Sequence, residues 1–386
     1  MRKGWQKQTL GDVLVKTETT DPARSPQTEF DYIDVSSVSN ETLAIEETQR
    51  LNGKDAPSRA RRLVKANDVL FATIRPTLRR IAIVPEELDN QVCSTGYFVL
   101  RAKPDVDHRF VFYFLQTEGF MTAMEKLQKG ASYPAVTDGD VRSQQIPIPP
   151  LPEQQRIVGI LDEAFKGIAT AKATAEKNLQ NAHALFESHI HSVFNRPRKG
   201  WGEKLLGDVC EYLNGKAHEQ CIDEKGRFTV INSKFISTDG EVFKKSDQAL
   251  LLLQPGDIAM VLSDVPNGKA LAKCYLVEKA DTYTLNQRIC VIRSARFHTR
   301  FLFYQLNRNR HFLAFDNGEN QTNLRLNQVL SCPLFVPAIS EQESIAATLD
   351  DMSEETQRLA SIYQQKLAAL DELKKSLLHQ AFSGAL

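Results

Sequence analysis

The stretch Glu153 to Phe194, EQQRIVGILDEAFKGIATAKATAEKNLQNAHALFESHIHSVF, returns without a gap at Glu341 to Phe382 as EQESIAATLDDMSEETQRLASIYQQKLAALDELKKSLLHQAF. Glu341 answers Glu153, Leu349 answers Leu161, Leu373 answers Leu185 and Phe382 answers Phe194, at a constant offset of 188. Loops drift quickly, whereas losing one residue from a helix turns everything beyond it by about 100°. The ungapped match therefore reads as helix held in register. Apolar residues recur three or four apart at Ile157, Leu161, Ala164, Ile168, Ala171 and Ala175, and on to Val193; in the second copy they run from Ile345 and Leu349 to Leu373 and Leu377. This spacing predicts one long amphipathic helix per copy, each with a single apolar seam close to the coiled-coil pattern. At 1.5 Å per residue each helix reaches about 60 Å, a rod rather than a core, and the simplest burial sets the two seams against each other.

End signals flank both copies. Pro152 suits a first helical turn, and Ser340 with Glu343 forms a capping-box pattern. Asn195 with Pro197, and Ser383 with Gly384, are stop signals.

The repeat extends beyond the helices. GWQKQTLGDV at Gly4 to Val13 returns as GWGEKLLGDV at Gly200 to Val209, NDVL at Asn67 to Leu70 as GDIA at Gly256 to Ala259, and RFVFYFL at Arg109 to Leu115 as RFLFYQL at Arg300 to Leu306. DVLFATI, RRIAIVP and STGYFVLRA in the first copy, and DIAMVL, KALAKCYLVE and RICVIRS in the second, are β-rich runs bounded by turn residues. RFVFYFLQTEGFMTAMEKLQ and TRFLFYQLNRNRHFLAF each read as one amphipathic helix. IPIPPLPE and CPLFVPAISE then deliver the chain to the long helices as extended, Pro-stiffened joints. The expected organisation is a mixed α/β (α+β) chain. It has globular heads at 1–150 and 197–338, helical spacers at 151–196 and 339–386, and a pseudo-two-fold relation if the spacers run antiparallel, with one head at each end.

Charge narrows the function. The formal net charge is zero, yet 196–338 carries 20 basic against 15 acidic residues and 1–150 carries 20 of each; any DNA-binding face must be local. No apolar run approaches membrane-spanning length, and the N-terminus lacks a signal peptide's apolar core; the expected location is the cytoplasm. The six cysteines, Cys93, Cys210, Cys221, Cys274, Cys290 and Cys332, have no metal-ligand spacing and read as reduced packing thiols.

NDVLFATIRPTLRRIAIV, CSTGYFVLR, a helix and IPIPPLPEQQRIVGILD, followed by a second round, resemble the specificity (S) subunit of type I restriction-modification enzymes over essentially the whole chain. The PLPEQQRIV junction, its twin PAISEQESIA and the duplicated helix carry the resemblance most specifically. It implies two target-recognition domains that each read half of a split site in double-stranded DNA. It implies helices that act as ruler and as docking surface for two modification (methyltransferase) subunits, and through them for ATP-driven restriction subunits. Chemistry would belong to those partners, with S-adenosylmethionine, ATP and Mg expected on them and no cofactor, metal or catalytic residue on this chain.

DNA-contact candidates follow from local basicity and polar loops. Arg59, Arg61, Arg62, Lys65, Arg75, Arg79 and Arg80 share a short window whose one acid is Asp68, and suit phosphates or guanine edges; the competing reading is a solvated loop with ion-paired arginines. LQKGASYPAVTD offers Lys129, Ser132 and Tyr133, and DNGENQTNLRL offers Asn320, Gln321, Asn323 and Arg325; Asn and Gln pair bidentately with adenine, although such loops also serve as plain turns. Lys269, Lys273, Arg288, Arg308 and Arg310 form a weaker set in the second head.

Other motifs dissolve. His189 and His191 face different ways on a helix, His218-Glu219 lacks a zinc-protease partner, and no phosphate loop, cofactor loop or nuclease carboxylate set stands out. Gly159 and Gly167, where the second copy has Ala347 and Glu355, each cost a helix roughly 1 kcal/mol and read as tolerated. The alternative function is a two-headed protein–protein adaptor that does not read DNA sequence. A stand-alone enzyme ranks last, on the expectation that no carboxylate, thiol or histidine constellation recurs in both copies.

Overall fold

The computed structural model describes residues 4–195 and 199–386; Pro197, one of the expected stop signals, lies outside them. Ten helices are used below: α1 (His108–Phe114), α2 (Glu118–Leu127), α3 (Asp138–Arg142), α4 (Leu151–Asn195), α5 (Leu206–Val209), α6 (Ser233–Ser237), α7 (Thr299–Leu306), α8 (Arg310–Leu313), α9 (Leu326–Leu330) and α10 (Ile339–Ser383). The chain packs as two units. One holds the chain up to Lys177 together with Gln364–Leu386, and the other holds Asn178–Tyr363.

In the first unit an antiparallel sheet takes the order Leu14–Val15, Tyr97–Ala102, Val69–Ala72, Ile81–Ile83. A second sheet runs Gln49–Asn52, Glu29–Ile33, Val92–Ser94, Ala60–Leu63, with its central pair parallel. The second unit repeats the first of these as Glu211–Asn214, Ile289–Arg293, Ile258–Val261, Cys274–Leu276. It replaces the other with three strands, Lys244–Ser246, Phe228–Ile231 and Tyr283–Leu285. The Pro-rich joints are strands as well: Gln145–Ile148 pairs with Gln6–Thr9, and Pro333–Val336 pairs with Gly202–Leu205. A two-stranded ribbon has only edge strands, so Pro147 and Pro333 sit in it without breaking a central ladder.

The two long helices are continuous, 45 residues each. Their first turns are core rather than rod: Ile157, Val158 and Leu161 pack with Phe110, Phe114 and, from the far end of α10, Leu378 and Ala381. In the second unit Ile345, Ala346 and Leu349 share a core with Phe301 and with Phe186, Ile190 and Phe194 from the far end of α4. Within each unit, therefore, the start of one long helix lies beside the end of the other, and the helices are antiparallel. Not every seam residue is covered, since Leu373 remains 46% exposed and Leu185 68%.

Three local expectations need correction. The single helix expected after Arg109 is two, because Thr117 caps a fresh start by accepting from the Phe120 N–H, and α1 and α2 meet there. The second head breaks at the corresponding place, where Asn309 accepts from the His311 N–H and begins α8. Ser340 is not a cap: α10 begins at Ile339, and the Ala338 carbonyl accepts from Glu341 and Gln342, as the Pro150 carbonyl accepts from Glu153 and Gln154.

Candidate nucleic-acid interface

Buried polar pairs fix each head before any surface is presented. Asp68, 1% exposed, accepts a bidentate Arg101 fork through two 2.8 Å bonds, and Asp257, 2% exposed, accepts the Arg293 fork at the same distances. Each carboxylate also closes its own turn, on the Lys65 and Gln254 N–H groups respectively. The hydrogen-bonded ion pair with Asp68, and after it the one with Glu18, raises the Arg101 pKa above its ordinary value. At the helix junctions Gln154 and Gln342 are both buried. Gln154 accepts from the Asp107 N–H and donates to the Pro149 carbonyl; Gln342 accepts from the His298 N–H and donates to the Pro337 carbonyl. Amide side chains thus lock each long helix to the start of α1 or α7. Tyr113 with Arg109 on Asp162, and Tyr304 with Arg300 on Asp350, tie the same elements about two turns further along the long helix. Carboxylate constellations do recur in both copies, contrary to expectation. Each is engaged by arginine, with tyrosine added in the second type, as a structural ion pair.

The basic window of the first head is dispersed by such pairing. Arg61 meets Asp21 at 3.1 Å, Arg62 meets Asp138 at 2.7 Å, Arg79 meets Glu118 at 2.7 Å and Lys65 reaches Glu18 at 4.0 Å. Arg80 donates to the carbonyls of Val35, Ser36 and Val38. Among the described residues, Arg59 and Arg75 are left exposed with no acid partner.

Arg75 is where the two candidate sets of the first head meet. The chain leaves the strand Val69–Ala72 and bridges Ile74 to Ala135, which is itself bridged to Lys129; the Arg75 N–H donates to the Pro134 carbonyl at 2.7 Å. This seats the loop carrying Lys129, Ser132 and Tyr133 against Arg75, whose guanidinium lies 5.0 Å from the centre of the Tyr133 ring. Tyr133 is 71% exposed.

The second head builds the same tip from different residues. Ser263–Asp264 pairs with Thr322–Asn323, and the Leu324 N–H donates to Leu262 as the Val136 N–H donates to Thr73. Ser263 therefore stands where Ile74 stands and Asp264 where Arg75 stands. Gln321 donates to the Ser263 hydroxyl at 2.8 Å. Asn320, Asn323, Arg325 and Lys269 are exposed on the same segments, and the carbonyl of exposed Arg288 accepts from the Leu262 N–H. Three of the weaker set are committed elsewhere. Lys273 pairs with Asp239 at 2.9 Å, Arg308 donates to the Leu271 carbonyl, and Arg308 and Arg310 line a cavity of about 280 Å³ with Ile190 and Phe194 of α4. Ser263 and Asp264 were missed in the sequence; the signal was their place, just past the repeated NDVL/GDIA strand. Among the described residues no cluster of His, Cys, Asp or Glu is disposed to hold a metal, and no helix is long and apolar enough to cross a membrane.

The family model described as "Type I restriction modification DNA specificity domain" matches residues 2–180 and again residues 198–365. The chain belongs to this family. The type I restriction enzyme HindI specificity subunit of Haemophilus influenzae is 32% identical over 145 residues, 36% of this chain and 30% of that protein. The EcoDI specificity subunit of Escherichia coli is 24% identical over 38% of this chain and 31% of its own length, so the matched stretch spans under a third of either relative. The MjaVIII specificity subunit of Methanocaldococcus jannaschii is 23% identical over 73% of this chain and 71% of its own. Of solved structures, one from work on complex assembly and conformational transition of the type I R-M system matches at 27% identity and a TM-score of 0.89, covering all of this chain and 99% of that one. The HsdS subunit of Thermoanaerobacter tengcongensis matches at 27% identity and a TM-score of 0.66, covering all of this chain and 98% of that one. The duplication in this specificity-domain chain is thus a doubled family domain, each copy a head with the first part of its long helix.

Proposed function

We propose that the chain is the non-catalytic DNA specificity subunit of a type I restriction-modification enzyme, with residues 1–150 and 197–338 as target-recognition domains for the two halves of a split site. The observation that carries this reading is one scaffold built twice, with the same buried pairs in each copy and different side chains at the equivalent exposed tip. A reader of two unlike half-sites needs that combination, because direct readout depends on a rigid frame that places a few variable side chains at base edges. Residues 151–196 and 339–386 serve as helical spacer and as docking surface for two modification subunits, which in turn engage the restriction subunits. S-adenosylmethionine, ATP and Mg²⁺ act on those partners, in the cytoplasm. The dispersed cationic residues, among them Arg59, Lys129, Lys269 and Arg288, supply phosphate contacts that orient the heads without reading sequence.

Footprinting of the complex with modification subunits on a plasmid library tests this. The expected result is two short protected sequences separated by a tract of fixed length and free sequence, with affinity falling steeply as salt rises. One continuous site, or affinity indifferent to salt, would favour the adaptor reading instead.

A further inference from the structure

We propose that the paired-loop tip is the base-reading element of each head, that Arg75 reads a guanine in the first half-site, and that Gln321 reads an adenine in the second. The inference rests on the DNA-specificity reading above and adds to it the side chains and the bases. Two observations select Arg75 among the basic residues of its window, and a third, its backbone conformation, is shared with Arg79. It has no carboxylate partner among the described residues, whereas Arg61, Arg62 and Arg79 each hold one. Its guanidinium rests over the Tyr133 ring, which fixes the plane of the fork while leaving its N–H edges unspent. Its backbone is left-handed, at φ 50° and ψ 58°, immediately before Pro76. That conformation is costly for a residue with a side chain and is disfavoured further before proline. The bond from the Arg75 N–H to the Pro134 carbonyl holds that conformation, and with it the point at which the side chain leaves the loop. A planar, preorganised arginine fork matches guanine O6 and N7 in the major groove.

The second head cannot use the same position. Asp264 stands there, and its carboxylate is taken up by the N–H groups of Val265, Ala270 and Leu271. It closes a longer loop, ten residues lying between Ser263 and Cys274 against six between Ile74 and Ile81. Any Cβ on Gly268 would meet that carboxylate at 2.2 Å, so the loop folds directly onto it. Reading passes instead to Gln321, whose amide nitrogen donates one hydrogen to Ser263, itself 6% exposed. That bond orients the amide and leaves its second N–H and its oxygen free, the pair of groups that adenine N7 and N6–H₂ require.

The test selects duplexes from a library randomised across both half-sites, using the full-length chain with its modification subunits. With the unaltered chain, one position of the first half is expected to be strictly G·C and one of the second strictly A·T. Arg75→Ala should cut discrimination at that G·C position about 10- to 100-fold and leave the second half intact, which also shows that the protein is folded. Tyr133→Ala should weaken the same position and Tyr133→Phe should not. Gln321→Ala should relax the A·T position alone. Should Arg75→Ala abolish binding altogether, Arg75→Lys decides, since an ammonium keeps the charge but not the fork: full discrimination retained by lysine overturns the proposal. Unchanged motifs in Arg75→Ala and Gln321→Ala, or relaxation at a base other than guanine and adenine respectively, overturn it while the DNA-specificity reading stands. If the unaltered complex enriches no sequence at all, that broader reading falls, and this inference falls with it.

Discussion

Where the first unit sets an arginine against a tyrosine ring, the second sets an aspartate that turns back onto its own loop. A few residues inward the two units are alike: an aspartate just before one strand holds an arginine fork on its neighbour, at the same 2.8 Å in both. The difference between depth and surface is informative. Buried charge is expensive unless fully paired, so a change to either partner is penalised at once and the pair persists through divergence. An exposed tip bears no such penalty, and its side chains are free to differ wherever the ligand differs.

If the inward frames are equivalent, breaking them should cost equally. Asp68→Ala and Asp257→Ala each take the buried carboxylate from an arginine that keeps only a more exposed acid, Glu18 or Glu211, and open a turn, and each is expected to destabilise its unit by about 3 kcal/mol, read by denaturant unfolding. A loss confined to one unit would break the equivalence. The junction glutamines come next. Gln154→Ala and Gln342→Ala each leave a buried N–H and a buried carbonyl without a partner, at about 1–3 kcal/mol, with faster hydrogen exchange at the Asp107 or His298 amide as the local readout.

The tyrosines at these junctions carry a pH signature. Burial first, and then the hydrogen bond to Asp162 or Asp350, pushes the phenols of Tyr113 and Tyr304 above their ordinary value of 10.0. A raised folded-state pKa means that their contribution is fully present below pH 10 and is lost as pH rises beyond it. Ultraviolet titration should find the Tyr113→Phe, Tyr304→Phe double variant lacking a late-ionising component, and it should be less stable at neutral pH by about 1.5 kcal/mol per hydroxyl. The smallest effect sharpens the comparison from the other side. A Cβ at Gly159 or Gly167 would meet nothing within 4 Å, so replacing either by alanine should stabilise the first unit by about 0.5–1 kcal/mol, as Ala347 already does in the second copy.

The repeat, the long helices and the three strands of each shared sheet were legible because each rests on a local signal: an ungapped offset, a 3.6-residue period, β-branched runs between turn residues. The break between α1 and α2 was not read, because the apolar period runs on through Thr117 while the cap that interrupts it depends on one hydroxyl. The Asp68–Arg101 pair was out of reach for a different reason. Its members are 33 residues apart, and only the register of Val69–Ala72 against Tyr97–Ala102 brings them together, although the aspartate repeated in NDVL and GDIA was a usable hint. The tip was half legible. Both loops were singled out, yet their union with Arg75 and with Ser263 is a product of strand pairing, and most of the basic window was absorbed by acids elsewhere in the chain.

The measurement that bears most directly on the doubled reader is exchange of a single head. Residues 1–150 are replaced by the corresponding segment of a family member with a different target, and the bases protected by the complex with modification subunits are mapped. One protected sequence should change while the other, and the number of base pairs between them, stay as they were. Changes in both sequences, or protection of one unbroken site, would contradict the doubled reader.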